Sequence, residues 1–232
     1  MKVHAIKTRI FKEGENLVDF IVAHIPKLKD GSILVVTSKV VALSEKRVAD
    51  TKDKNKIIKK ESEWTMPVKY GNLTLKDGIL MWNVGLDSSN AAGKLVLLPK
   101  DSFATAEVLR AKLKKHYKLK KLGIILSDSR IMPLRAGVVG IALGYAGFKG
   151  LRDYRGKADI FGRRLQYSQT DVADSLATAA ILTMGEGKER QPLCVVEDAP
   201  AEFTVRTNRA ELIIPLENDM YRPLFGRLKK RR

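Results

Sequence analysis

Five glycines, Gly137, Gly140, Gly144, Gly147 and Gly150, interrupt an otherwise apolar stretch rich in Val, Ile and Ala. Glycine weakens strand pairing and offers no side chain to pack, so this spacing requires that another backbone or a ligand approach closely. The stretch lies inside a longer block, residues 122 to 163. The block opens with an apolar run at 122 to 126, short enough for a buried strand. That run ends at Ser127-Asp128-Ser129, which reads as a carboxylate and two hydroxyls where a strand gives way to a loop. Ligand groups often sit at such places on a rigid support. The block closes with the polar segment Asp153-Tyr154-Arg155-Gly156-Lys157, then Asp159 and Gly162-Arg163.

The flanking sequence supplies the rest of an α/β fold. Residues 2 to 8 and 33 to 36 read as strands, and 94 to 99 as another. Short strands are expected around Gly71 and Asp77-Gly78, and strands at sheet edges over 194 to 196, 203 to 207 and 212 to 215. Leu17, Phe20, Ile21 and His24 recur at helical spacing behind a plausible cap, Asn16. A second helix is expected from Asp101-Ser102 to about His116, with Ala106, Leu109 and Leu113 inward. A third runs from about Thr170 to Met184, with Asp171 or Asp174 suited to its positive N-terminal end. Residues 50 to 64 form a lysine-rich surface excursion or helix. The expected fold class is α/β (α+β), a mixed sheet with flanking helices: one domain over residues 1 to 220, followed by a basic C-terminal tail over 221 to 232.

Length and composition suit a globular chain with a substantial core: 232 residues, 44% hydrophobic and 30% charged. No run approaches the roughly 18 apolar residues of a membrane span. The N-terminus lacks the apolar segment of a secretory signal, and the single cysteine, Cys194, has no partner for an internal disulfide. A cytoplasmic protein is the expectation. The charge is the outlier, with 43 Lys and Arg against 26 Asp and Glu, a net +17. Such a field favours anionic partners, from nucleotides to nucleic acid. The excess gathers at 52 to 60, 112 to 121 and 227 to 232.

Four polar clusters sit at expected element ends: Thr37-Ser38-Lys39, Asp87-Ser88-Ser89-Asn90, Asp128-Ser129, and Glu186 between Gly185 and Gly187. Three of them supply a carboxylate. Hard oxygen ligands of this kind suit Mg²⁺ or Mn²⁺, which bridge to phosphate oxygens rather than sit in all-protein cages. Other chemistries lack their marks. There is no G-x-S-x-G elbow, no Walker A loop and no G-x-G-x-x-G opening a helix. His4, His24 and His116 are scattered. The residues alone point to an enzyme that handles metal and phosphate.

The motifs VVTSKVVALSEKR, NVGLDSSN, LLPKD, IILSDS, RAGVVGIALGYAGFKGLRDYRGKADIFGRRL and VADSLATAAILTMGEG, in this order over residues 33 to 187, resemble those of the coenzyme F-420:gamma-glutamyl ligase family. The resemblance implies an intertwined homodimer that uses GTP, or ATP, with Mg²⁺ or Mn²⁺. It implies an amide bond from the amine of L-glutamate to an anionic carboxylate acceptor, by default the coenzyme F-420 precursor, through an acyl phosphate. Carried over, Asp87 and Asp128 are the catalytic residues, and Asp87, Asp128, Ser129 and Glu186 the metal ligands. Nucleotide contacts fall on Ser38, Lys39, Asn90, Met184, Gly185, Glu186, Gly187, Lys188 and Gln191. Three departures stand out. A family lysine is here Leu43, with Lys46 nearby. The family's T-x-G-R is here Ser129-Arg130-Ile131-Met132, read as a loop beside the acceptor or phosphate. A guanine-holding proline-leucine segment is here Lys7-Thr8-Arg9-Ile10. The alternatives are a ligase of the same fold with another acceptor, and a degenerate relative whose basic tail binds nucleic acid.

Overall fold

The computed structural model describes residues 1–225. The first half runs β1 (Lys2–Ile6), α1 (Leu17–His24), β2 (Ser32–Thr37), α2 (Ser38–Ser44), β3 (Val48–Ala49), α3 (Lys54–Glu61), β4 (Trp64–Val68), β5 (Gly71–Lys76), β6 (Ile79–Trp82) and β7 (Leu95–Val96). The second half runs α4 (Ser102–Tyr117), β8 (Leu122–Ile131), β9 (Val138–Ala146), β10 (Leu151–Asp153), β11 (Gln169–Asp171), α5 (Val172–Met184) and β12 (Leu193–Glu197). Five strands form the main sheet in the order β1-β12-β2-β8-β9. Only β2 and β8 pair in parallel, so the sheet is mixed, as expected.

The central strands are apolar on both faces, and each face has its own core. Leu34, Val36, Leu122, Ile124, Leu126, Leu193 and Val195 pack with Phe20 and Ile21 of α1 and Leu109 and Leu113 of α4. The alternate residues Ile33, Val35, Ile125, Cys194 and Val196 pack under α5, against Val172, Leu176, Ala177 and Ala180. The period of two along each strand divides the runs between the two layers. Each fully buried Ile or Leu contributes on the order of 1.5–3 kcal/mol. The helices start where the sequence signals them. Asn16 Oδ1 accepts from the amides of Val18 and Asp19, Asp101 from Ala104, and Asp171 from Asp174.

The glycines of β9 do what their spacing requires. A Cβ on Gly140 would collide with the Ala177 carbonyl of α5, and one on Gly144 with the Ser102–Phe103 backbone at the start of α4. Two residues four apart in a regular strand share a face. Here Leu126 pairs with Gly144 and Ser127 with Ala142, which leaves Leu143 as the extra residue of a β-bulge. The bulge turns Gly140 toward one helix layer and Gly144 toward the other.

Several expectations need correction. Ser127, Asp128 and Ser129 lie inside β8, not at its end, because pairing with β9 resumes beyond the bulge and runs to Ile131 opposite Val138. The same pairing makes residues 129 to 131 strand rather than loop. The 194 to 196 run belongs to β12, an interior strand between β1 and β2. Residues 203 to 207 and 212 to 215 form no strand. Phe203 makes one isolated bridge to Phe148, and the segment is anchored by Glu211, which accepts from the Tyr145 hydroxyl and the Gly150 amide, each at 2.6 Å. The strand expected over 94 to 99 contracts to β7. The lysine-rich excursion contains α3, which buries only Ile58, against Val84 and Leu86. A separate three-stranded sheet, β4-β5-β6, follows it. It is tied to α3 by Glu61, which pairs with Arg47 at 3.0 Å and Lys76 at 2.9 Å. Among the described residues no helix is long and apolar enough to cross a membrane. The basic cluster at 227 to 232 lies outside the described residues.

Candidate active site

The parallel register between β2 and β8 sets the site. Thr37 stands opposite Ser127, so the residues that follow, Ser38 and Lys39 after β2 and Asp128 and Ser129 on β8, emerge at one level of the sheet. Ser38 is buried at the first turn of α2. Lys39 reaches across to a third segment: its Nζ lies 2.6 Å from Asp87 Oδ2, 2.9 Å from the Ser89 carbonyl oxygen and 3.1 Å from Ser89 Oγ.

Asp87 is held by its own backbone. Its N–H and C=O exchange hydrogen bonds with Val96 of β7, at 3.0 and 2.8 Å. The tight turn before it takes left-handed backbone at Asn83 and Val84. Its carboxylate accepts from the Ser89 amide at 2.6 Å and the Ser89 hydroxyl at 3.0 Å. Three groups therefore orient one carboxylate. Ser89, a member of the second polar cluster, has no role of its own legible in the sequence beyond the Asx-turn spacing of Asp87-Ser88-Ser89.

The fourth segment follows α5. Gly185, at φ +78°, ends the helix, and Glu186 follows it with its carboxylate close enough to Ser129, Lys39 and Asp87 for each to act on its charge. Asn90 Nδ2 donates to the Gly187 carbonyl at 3.3 Å, joining the second and fourth clusters. All four polar clusters thus meet at one place. The other predicted positions divide. Met184 is buried in the core under α5. The Gln191 amide nitrogen donates to the Thr183 and Met184 carbonyls, at 3.1 and 3.2 Å, closing the helix end. Lys188 is exposed, and the Gly187 amide donates to Glu189 at 2.8 Å. The Thr8 amide donates to the Arg190 carbonyl at 2.9 Å, which brings the divergent 7 to 10 segment alongside residues 185 to 191. Leu43 packs against the core beneath α1.

The electrostatics are those of crowded carboxylates. Asp128 keeps a little exposure, but protein surrounds its carboxylate, and its pKa is pushed up to about 7. Burial is the main cause. The charges of Asp87 and Glu186 add to it, while the Ser129 amide and Lys39 oppose it. Glu186 is raised as well, chiefly by burial. For Asp87 burial also pushes upward, but bonds from Lys39 and Ser89 outweigh it and hold the carboxylate below its ordinary value. One ammonium thus serves three carboxylates. The donor set is hard oxygen and short of positive charge, which fits a hard divalent cation. Among the described residues no three carboxylate, imidazole or thiolate groups stand together as a cage that could hold a metal ion. Magnesium needs no such cage, since it commonly takes one or two carboxylates with phosphate oxygens and water.

Comparison with known proteins places this α/β chain among the ligases. It belongs to the F420-0:gamma-glutamyl ligase family, which it matches over residues 5–198. It is 32% identical to the coenzyme F420:L-glutamate ligase of Methanocaldococcus jannaschii over 244 aligned positions, covering 96% of this chain and 97% of that one. The enzyme of the same name from Methanococcus maripaludis strain S2 is 34% identical over 216 positions, 84% of this chain and 86% of the relative. That from Archaeoglobus fulgidus is 31% identical over 208, with coverage of 81% and 83%.

Proposed function

We propose that this protein is a nucleotide- and divalent-cation-dependent amide ligase that joins the amine of L-glutamate to the carboxylate of an anionic acceptor. The name of its relatives, coenzyme F420:L-glutamate ligase, supports an acceptor of the coenzyme F420 type, by default its precursor. The observation that carries the reading is the meeting of Lys39, Asp87, Asp128, Ser129 and Glu186 from four separate segments.

In this reading the terminal phosphoryl group of GTP, or ATP, passes to the acceptor carboxylate, giving an acyl phosphate and a nucleoside diphosphate. The glutamate amine then attacks the acyl carbon and loses a proton, and inorganic phosphate leaves. Three anions must approach one another, so neutralisation and alignment supply most of the acceleration. Asp87 and Asp128, with Ser129 and Glu186 beside them, would hold Mg²⁺ or Mn²⁺, which supplies the neutralising charge. Lys39 is released from Asp87 to the polyphosphate. Ser38, Asn90 and the backbone of 185 to 188 surround the nucleotide.

The functional unit in this proposal is a homodimer. Leu134, Ile160, Phe161 and Tyr167 are almost wholly exposed on projecting hairpins and loops, an apolar set that a second copy would cover. The test is ligation itself: nucleotide-dependent phosphate release that requires both L-glutamate and the acceptor. Asp87→Asn and Asp128→Asn are each expected to lower kcat by about 10²–10³. Full turnover in either variant would refute the assignment. Calorimetry with GTP and ATP, with and without Mn²⁺, decides the base.

A further inference from the structure

A second charged cleft opens one residue beyond the carboxylate cluster. Its volume is about 540 Å³, and Arg130, Asp171, Asp174, Ser175 and Thr178 are among its lining residues. It lies where the first half of α5 closes the outer edge of β9. The Ala142 amide donates to Asp174 Oδ1 at 2.8 Å, and the Thr178 hydroxyl donates to the Gly140 carbonyl at 2.8 Å. Capping explains part of the acidic pair, since Asp171 Oδ1 accepts from the Asp174 amide at 2.8 Å. It does not explain why two carboxylates crowd together here. Each spends one oxygen on a backbone amide. Burial is the main cause that raises both above the ordinary carboxylate range; Asp174 raises Asp171 further, whereas the Ala142 amide, Arg130 and Asp171 oppose the rise at Asp174.

Arg130 is the complementary observation. The arginine ion pairs among the described residues engage Arg9, Arg47, Arg155 and Arg209, and not Arg130. Its charge is nonetheless felt at Asp174. A guanidinium without an ion pair among the described residues thus lines one cleft with two carboxylates, and acts on Asp174 only through space. The chemistry that satisfies both sides is a zwitterion: a carboxylate on the fork of Arg130 and an ammonium in place of the charge that Asp171 and Asp174 lack.

We propose that this cleft is the amino-acid subsite, holding L-glutamate by its ammonium at Asp171 and Asp174 and by a carboxylate at Arg130. The assignment rests on the ligase reading above. Position supports it, since Arg130 follows Asp128 by two residues on one strand, about 6.6 Å along β8. The Arg130 end of the cleft therefore adjoins the cluster where the acyl group is activated.

The experiment uses the full chain with a non-hydrolysable GTP analogue and Mn²⁺, titrated with L-glutamate and, separately, with glutarate, which lacks the ammonium. Arg130→Gln is expected to weaken both ligands at least tenfold. The double variant Asp171→Asn, Asp174→Asn keeps both backbone-accepting oxygens, and Asn is as good a helix cap as Asp. It is expected to weaken L-glutamate at least tenfold while glutarate stays within twofold, and to hold its thermal midpoint within a few degrees. Failure of the wild type to bind L-glutamate, or L-glutamate affinity within twofold of wild type in either variant, overturns the subsite. The ligase reading is scored separately by wild-type ligation. Turnover by the cleft variants with an unchanged KM for glutamate removes the subsite and leaves the ligase standing.

Discussion

Asp128→Asn should make the cation-free protein more stable, and only above mildly acid pH. The Asp128 carboxyl rises from an ordinary 3.8 to about 7 on folding, mainly through burial. A raised carboxyl pKa means that the folded state binds the proton more tightly than the unfolded chain. The ionised form is therefore a burden on the fold. That burden is absent below about pH 4, grows between about pH 4 and 7, and is complete above pH 7. Three units at about 1.36 kcal/mol each give roughly 4 kcal/mol as the ceiling. Partial exposure and local relaxation lower the expected figure to about 2–4 kcal/mol at pH 8, and to under half of that at pH 5. Asparagine removes the charge and keeps the oxygen that accepts from the Ser129 amide at 2.9 Å. The assay is urea unfolding of wild type and variant at pH 5 and pH 8 in the presence of a chelator, with slopes compared to confirm a common unfolded state. The variant should be ahead at pH 8, and the gap should narrow at pH 5. A gap of equal size at both pH values, or a wild type more stable at pH 8, would refute the account of Asp128 as a carboxylate forced among like charges. Replacing the chelator with Mn²⁺ should then raise the wild type toward the variant, since a ligand that binds only the folded state stabilises it.

Two further predictions concern the frame that holds the site. Gly140→Ala places a methyl group against the Ala177 carbonyl, in backbone that cannot swing aside, and should cost at least about 1–3 kcal/mol, read as a lowered thermal midpoint; an unchanged midpoint would mean that α5 does not seat on β9 there. Glu211→Ala leaves the Tyr145 hydroxyl and the Gly150 amide without their acceptor and should cost about 2–4 kcal/mol. It should also let the Tyr145 phenol, raised mainly by burial and further by Glu211, titrate at lower pH, which ultraviolet absorbance would follow.

Local signals were readable because their physics is local. Asn16, Asp101 and Asp171 cap the helices they precede, and the apolar runs at 33 to 36 and 122 to 126 are strands. The errors fall where a distant partner decides. Three polar residues in a row at 127 to 129 look like the end of a strand, but β9 continues to offer pairing groups, so the strand goes on. The 194 to 196 run looks like one more edge, but β1, arriving from the other end of the chain, covers it. Each polar cluster of the site was visible alone, whereas their meeting depends on the β2–β8 register and on the reach of Lys39.

The glycine stretch and the site are two effects of one bulge. With Leu143 extra, Gly140 faces α5 and lets its backbone approach; that close seat brings Asp174 to the Ala142 amide and directs the end of the helix so that Glu186 lies near the other carboxylates of the site. Remove the extra residue, and every β9 side chain beyond it changes face, because the strand period is two. The space made by Gly140 would then open toward the wrong layer, and α5 could not seat. A chain of this family therefore has reason to keep its glycines four apart across a bulge, since the same spacing sets the helix that positions the fourth segment of the site.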